Sequence, residues 1–222
     1  MLKLLWIRLK TDLWNLTEFL QVVFFYYSNR SFAAADWHLV RSYLSQSPFL
    51  ISKEFLIEKG ENEVDTYGET PLTTMDIIAE ECRLTNRDIV YELGCGRGRT
   101  CFWLNAFLGC TVYGVEYVPA FIRIAQSVKR KYGINEVKFI CENMMDVSLE
   151  HATVVYFYGS TINDEELKRL CNKLASLNHE VKIITISFPL SAYHRGFQTI
   201  KRFPVKFPWG ETDAYLQKTH AD

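Results

Sequence analysis

Short apolar runs alternate with apolar helical stripes from residue 88 onward. The runs predict β-strands at residues 88–92, 111–117, 137–141, 153–158 and 181–187. Between them, apolar positions at helical spacing predict helices at residues 100–107 and 119–132, and a third that begins at an Asn163–Glu166 capping box. This alternation is typical of a parallel sheet with right-handed crossovers.

The last two apolar runs, at residues 197–203 and 213–219, predict a β-hairpin. The loop that joins them contains Pro204, Pro208 and Gly210, which are residue types typical of turns. A hairpin adds an antiparallel edge, so we expect a mostly parallel, seven-stranded α/β sheet. Ligands of such sheets bind at the carboxyl ends of the strands, near the point where the strand order reverses.

The first 60 residues predict a helical extension, and residues 61–222 predict the α/β domain. Within the extension, Ser31 is expected to cap a helix that runs to about Ser45, with Pro48 ending that stretch. Residues 60–63 form a polar linker, and Thr70 followed by proline is expected to begin the next helix.

The segment from Met1 to Tyr27 is strongly apolar and carries three basic residues near its start. A signal peptide has such a pattern, but polar residues interrupt this one. Its longest compact apolar run, residues 19–27, is shorter than the ~20 residues of a membrane span. We therefore expect an amphipathic helix packed on a cytoplasmic protein. Peripheral membrane contact through this helix is the alternative, and secretion is disfavoured.

Composition narrows the classes of function. The chain has 25 basic and 26 acidic residues and a net charge of −1, which disfavours nucleic-acid binding by phosphate neutralisation. The basic stretch at residues 195–206 is interpreted as a solvated face. The six cysteines form no C-x-x-C pair and are expected to be buried, reduced thiols. The five histidines show no metal-ligand spacing, so we expect no structural metal.

The most informative motif is the sequence Val-Tyr-Glu-Leu-Gly-Cys-Gly-Arg-Gly-Arg at residues 90–99. Its glycines, Gly94, Gly96 and Gly98, alternate, whereas dinucleotide-binding folds use the spacing G-x-G-x-x-G. Glycine lets a backbone approach a ligand closely. Glu92 stands at the loop entrance, where a carboxylate repels pyrophosphate and attracts the cationic tail of an amino acid. The motif therefore favours S-adenosylmethionine over a dinucleotide.

Further candidates follow the next two predicted strands. Glu116 ends the second strand, where an acid can accept hydrogen bonds from ribose hydroxyls. Asn143 lies just past the third strand, in a position suited to the amino edge of adenine, and Met144 could pack on the face of the ring. Asp146 is the alternative to Asn143.

These motifs resemble those of class I S-adenosylmethionine-dependent methyltransferases over about residues 66–219. The resemblance implies their Rossmann-like seven-stranded sheet. The chain is most similar to the non-SET lysine methyltransferases, the disruptor-of-telomeric-silencing family, through residues 67–70 (Tyr-Gly-Glu-Thr), residues 76–80 and the glycine loop. In that family the Y-G-E-T segment closes over the methionine end of the cofactor, which implies this role for Tyr67, Glu69 and Thr70. The family's asparagine-rich segment after strand four is replaced here by Tyr-Phe-Tyr-Gly-Ser at residues 156–160, and its basic nucleosome-binding tail is missing.

The candidate residues form two groups. The expected cofactor-binding residues are Tyr67, Glu69, Thr70, Glu92, Gly94, Cys95, Gly96, Gly98, Glu116, Tyr117, Asn143 and Met144. The expected catalytic residues are the aromatic side chains of Tyr158, Trp209 and Tyr215, with Phe188 as a further wall of their channel. An aromatic channel disfavours a charged amine by desolvation and can hold an entering ammonium by cation–π attraction.

The leading hypothesis is a methyltransferase that acts on an amine of a protein, namely a lysine. No Asn/Asp-Pro-Pro-Tyr/Phe motif follows strand four and no Pro-Cys pair occurs, which disfavours methylation of adenine or cytosine in nucleic acid. One alternative is a small-molecule or RNA methyltransferase that uses residues 1–60 as a lid. The other is a cofactor-binding module without catalysis.

Overall fold

The described residues of the computed structural model, 2–159 and 162–219, form seven α-helices and seven strands. The helices are α1 (Leu2–Tyr26), α2 (Arg30–Arg41), α3 (Pro48–Lys59), α4 (Leu72–Glu81), α5 (Arg99–Leu108), α6 (Pro119–Tyr132) and α7 (Asp164–Ala175). The strands are β1 (Ile89–Leu93), β2 (Thr111–Glu116), β3 (Val137–Cys141), β4 (Val154–Phe157), β5 (Lys182–Ile186), β6 (Phe197–Phe207) and β7 (Gly210–Thr219).

All seven strands form one sheet in the order β3-β2-β1-β4-β5-β7-β6. Strands β1 to β5 pair in parallel, whereas β7 is antiparallel to both β5 and β6. The predicted sheet class and C-terminal hairpin are thereby confirmed. Because β1 lies between β2 and β4, the strand order reverses there, and the carboxyl ends of these strands border a crevice.

The hairpin is longer than predicted. Strand β6 continues to Phe207 and β7 begins at Gly210, so only Pro208 and Trp209 form the turn. The prediction that Pro204 lies in a loop was wrong, because β6 is an edge strand, where a sheet accommodates proline. The extra length carries Phe207 and Trp209 to the aromatic ring that follows β4.

The extension is helical, as expected, but two of its predicted boundaries were wrong. Asn29, and not Ser31, caps α2: its side-chain oxygen accepts a 3.1 Å hydrogen bond from the backbone N–H of Phe32. The helix ends at Arg41 rather than near Ser45. Pro48 begins α3 instead of only ending α2, because a proline in the first turn sacrifices no helical hydrogen bond.

Helices α1 and α2 share a core with one face of the sheet. Phe32, Ala35 and Leu39 of α2 are fully or almost fully buried, in the same apolar cluster as Val90 of β1 and Val112 of β2. A second cluster on the opposite face of the sheet packs beneath α7. The extension is therefore continuous with the packing of the domain that it precedes.

The second half of α1 packs on the domain. Glu18, Val22 and Tyr26 are buried, and the Glu18 carboxylate accepts hydrogen bonds from the backbone N–H and the hydroxyl of Thr73. The opposite face exposes large apolar side chains, namely Trp6, Leu9, Leu13, Leu16, Leu20 and Phe24. Within residues 2–159 and 162–219, no helix has both the length and the apolar content required to cross a bilayer.

Candidate active site

A cavity of about 400 Å³ opens at the carboxyl edge of the sheet. Its floor is formed by residues at or after the ends of β1, β2, β3 and β4, including Leu93, Gly94, Glu116, Asn143 and Phe157. Its outer wall comes from α3 and the linker that follows, including Ser52, Leu56 and residues 61–63. The extension therefore contributes directly to the cavity, through side chains that the sequence analysis did not single out.

The glycine loop requires glycine for two physical reasons. Gly96 and Gly98 have φ values of +53° and +73°, in the left-handed region that disfavours other residues. A Cβ at position 98 would also lie 2.4 Å from the Phe139 ring, and one at position 96 would lie 3.2 Å from the Tyr67 ring. The absence of side chains at these two positions lets the loop pass between the rings and line the cavity.

Glu116 joins the glycine loop to the turn after β2. One carboxylate oxygen accepts a 2.9 Å hydrogen bond from the backbone N–H of Gly96, and the other accepts a 2.8 Å bond from that of Val118. Burial raises the pKa of this carboxyl, and the backbone N–H groups oppose that effect. A carboxylate has about four acceptor sites, so Glu116 can still accept a hydrogen bond from a ligand in the cavity.

Glu92 lies below the loop rather than in the main cavity. It lines a smaller cavity of about 20 Å³ together with Gly94, Cys95 and Arg99. The carboxylate accepts hydrogen bonds from the Thr100 hydroxyl and, at 3.1 Å, from the Cys101 thiol. Burial raises the pKa of Glu92 to about 7, against the lowering effect of these two donors.

The predicted Y-G-E-T segment also lies at these cavities. Tyr67 lines the main cavity, while Glu69 and Thr70 line the smaller one. The Nε and Nη2 groups of Arg97 donate hydrogen bonds to the Glu69 carboxylate, and the Tyr67 hydroxyl donates to the same group. The segment is thus joined to the glycine loop by a doubly hydrogen-bonded ion pair.

The candidates after β2 and β3 line the main cavity, as their positions in the sequence predicted. Asn143 and Met144 both face it, and the Asn143 side-chain oxygen accepts a 2.9 Å bond from the backbone N–H of Met145. Tyr117 also lines it and makes an edge contact with Phe55 of α3, with the ring centroids 5.2 Å apart. Asp146, the alternative to Asn143, is exposed and is absent from the lining.

Of the three predicted catalytic aromatics, only Tyr158 lines the cavities. Trp209 is connected to the cavities through Tyr158, because the indole N–H donates a 2.9 Å hydrogen bond to the Tyr158 hydroxyl. Phe207 makes a stacked contact with each of these two rings, at centroid distances of 4.8 Å from Tyr158 and 5.3 Å from Trp209. We call Tyr158, Phe207 and Trp209 the aromatic stack. Sequence reasoning missed Phe207 because it placed that residue in a loop.

Two predicted aromatic walls lie elsewhere. Tyr215 pairs with Thr185 of β5 and lies 5.9 Å from the Arg202 guanidinium, away from both cavity linings. Phe188 packs on Phe157, in the core cluster beneath α7. Ser160, the last residue of the segment after β4, lies outside the described residues.

The charged residues that line the main cavity all share one sign. They are Glu61, Glu63, Glu116, Glu142 and Glu166, and none of the described residues in the lining is lysine, arginine or histidine. The cavity is therefore suited to a cationic ligand or substrate.

The described ranges contain no group of three or more histidine, cysteine, aspartate or glutamate side chains placed to hold a metal ion.

Comparisons with known proteins agree with this geometry. A family model described as the ANTKMT methyltransferase domain matches residues 92–195. A protein-lysine N-methyltransferase from Saccharolobus islandicus (strain REY15A) is 28% identical over 130 residues, which cover 58% of this chain and 80% of that protein.

Solved structures share the fold. An RNA methyltransferase from Salinibacter ruber, in complex with S-adenosyl-L-homocysteine, has a TM-score of 0.58 at 20% identity and covers 70% of this chain and 95% of its own. A geranyl diphosphate C-methyltransferase from Streptomyces coelicolor A3(2), in complex with the same compound, has a TM-score of 0.54 at 14% identity. The match covers 68% of this chain and 76% of that one. Together with the glycine loop and Glu116, these matches show a chain with the fold and the glycine-loop pattern of class I S-adenosylmethionine-dependent methyltransferases.

The raised pKa of Glu92 predicts pH-dependent binding of the cofactor. Only the ionised carboxylate attracts an ammonium group, so affinity should fall as the pH drops through about 7. If binding requires that form, affinity is about tenfold weaker at pH 6 than at pH 8. Isothermal titration of S-adenosylmethionine across this range measures the effect.

Glu92→Gln is the matched control, because it keeps the shape of the side chain and removes its titration. The cofactor's own amine also titrates near pH 8 and accounts for whatever dependence the variant retains. Identical pH profiles for the wild type and the variant would show that Glu92 has no part in binding.

Proposed function

We propose that the chain transfers a methyl group from S-adenosylmethionine to the side-chain amine of a lysine in a protein. The observation that carries this proposal is that every charged side chain among the described residues of the main cavity's lining is acidic. Acidic walls raise the local concentration of cationic groups and repel phosphate, so they favour a basic protein segment over RNA. The protein-lysine N-methyltransferase among the relatives supports the same substrate class.

The residues present suit the cofactor along its whole length. The free acceptor sites of Glu116 would bind the ribose hydroxyls, and Asn143 and Met144 would contact adenine. The backbone of Gly94 and Gly96 would lie against the amino-acid tail, with Glu92 below its ammonium group. A pocket of about 400 Å³ falls within the range of small-molecule sites.

The bound sulfonium supplies an activated methyl group, so the protein mainly has to orient an uncharged amine in line with it. We assign this task to Tyr158, because it lines both the main cavity and the smaller one. Its hydroxyl already accepts the indole N–H of Trp209, which fixes the position of the oxygen. The apolar surface of the aromatic stack lowers the pKa of an entering lysine by desolvation.

The substrate class can be tested with labelled cofactor. Purified protein is incubated with methyl-labelled S-adenosylmethionine and an extract of its source cells, and portions are digested with protease or with nuclease. We expect the label in protein and, after acid hydrolysis, in methyl-lysine. Label released by nuclease or confined to small molecules would support the alternative activities, and tight binding of the cofactor without any transfer would support a non-catalytic module.

The aromatic stack predicts the effect of a conservative change at its exposed end. Trp209→Phe keeps an aromatic ring over Phe207 but removes the hydrogen bond to Tyr158. A hydrogen bond of this kind contributes about 1 kcal/mol, so kcat should fall about fivefold. The affinity for S-adenosylmethionine should be unchanged, because Trp209 is absent from the cavity lining. Rates of label transfer to protein measure this difference.

Tyr215→Phe is the control for that variant. It removes a hydroxyl from the same hairpin, at a position outside both cavities. Its kcat should equal that of the wild type. Equal losses of kcat in the two variants, or none in Trp209→Phe, would contradict the role given to the stack.

A further inference from the structure

Helix α2 places one carboxylate in the middle of its buried face. Phe32, Ala35, Asp36 and Leu39 are its buried residues, and Asp36 is the only acid in the helix. Its side chain is 1% exposed. A buried carboxylate costs free energy unless it is paired, and replacing such a pair by apolar residues is often neutral or stabilising. The packing of α2 alone therefore does not account for an aspartate at this position.

The partner of Asp36 directly follows the glycine loop. Arg99 is the first residue of α5, directly after Gly98, and it lines the small cavity beside Glu92 and Gly94. Its Nε and Nη2 donate hydrogen bonds of 2.6 Å and 2.8 Å to the two carboxylate oxygens of Asp36. The Tyr27 hydroxyl donates a third bond, of 2.9 Å, to the same carboxylate. These contacts fix both the carboxylate and the guanidinium.

A neighbouring contact ties the same segments together. Tyr43, just past the end of α2, lies with its ring 5.1 Å from the guanidinium carbon of Arg97 in the glycine loop. Arg97 is in turn held by Glu69. The loop from Gly94 to Gly98 therefore has one arginine within it and one directly after it, and each of them is held by a segment that precedes the sheet.

We propose that Asp36 is a positioning residue for methyl transfer: it holds Arg99, and through it the glycine loop, in the conformation that binds S-adenosylmethionine. This inference rests on the proposed placement of the cofactor at the loop. It gives the extension a role in catalysis in addition to its contribution to the outer wall of the cavity. The methyltransferase domain without residues 1–60 should accordingly bind the cofactor poorly.

Calorimetric titration of S-adenosylmethionine into the full chain tests this role. Asp36→Asn removes the charge but keeps the shape, and we expect it to raise the Kd at least tenfold. Asp36→Glu retains the carboxylate and should recover part of the affinity. Tyr26→Phe is the matched control, because it removes a partly buried hydrogen bond from α1 to Asp76 of α4, away from the loop. Its Kd should stay within about twofold of that of the wild type.

A purely structural role is separated from a positioning role by a double-variant cycle. If Asp36 acts through Arg99, then Asp36→Asn should add nothing to the Kd of Arg99→Gln. Additive increases in the Kd of the two variants would overturn the proposal. So would increases in the Kd that follow the fall in melting temperature equally in Asp36→Asn and Tyr26→Phe. Unchanged affinity in Asp36→Asn would also overturn it. Failure of the wild type to bind would instead overturn the assignment of the cofactor.

Tyr27→Phe provides a milder perturbation if Asp36→Asn does not fold. It removes only the third hydrogen bond to the carboxylate and leaves the ion pair in place. We expect a two- to threefold rise in the Kd for S-adenosylmethionine. A wild-type Kd in this variant would count against the positioning role.

Discussion

The whole site depends on a carboxylate bound to the backbone of a glycine loop. Glu116 accepts hydrogen bonds from Gly96 and Val118, so the loop after β1 and the turn after β2 are held together before any ligand arrives. The left-handed backbone at Gly96 and Gly98 permits that contact. A site that is already held in shape loses less conformational entropy when it binds a ligand. The parallel sheet brings the two loops together because β1 and β2 are neighbours.

Much of this arrangement follows from local sequence patterns. Strand and helix periodicity predicted the sheet, and the position of an acid or amide at a strand end predicted Glu116 and Asn143 in the cavity. These inferences succeed because the carboxyl ends of parallel strands must converge at one edge. The spacing of Gly94, Gly96 and Gly98 carries comparable information, since few backbones need glycine at alternate positions.

The rest depends on contacts between residues far apart in the chain, which periodicity does not encode. Trp209 and Tyr158 are 51 positions apart, and their hydrogen bond requires the hairpin to extend through Pro204. Asp36 and Arg99 are 63 positions apart. The one available signal for that pair was an acid on the apolar stripe of a predicted helix. The prediction that Tyr215 lines the channel failed for the same reason. Its aromatic side chain suited the channel, but its register in the sheet places it beside Thr185.

The charge distribution connects the fold to the substrate. Arg97 and Arg99 form ion pairs with Glu69 and Asp36, and the charged side chains among the described residues of the main cavity's lining are all acidic. A near-neutral protein thus presents a locally negative cavity, which is a property of the fold rather than of the overall composition. The acidic lining would attract a lysine as a cation, whereas desolvation against the aromatic stack would favour its neutral amine.

The most direct test of this account is a crystal structure of the full chain with S-adenosylhomocysteine. We predict that the ribose hydroxyls lie within hydrogen-bond distance of the Glu116 carboxylate, with adenine beside Asn143 and the sulfur facing Tyr158. A ligand bound away from the glycine loop, or a cavity that stays empty at saturating ligand, would contradict it.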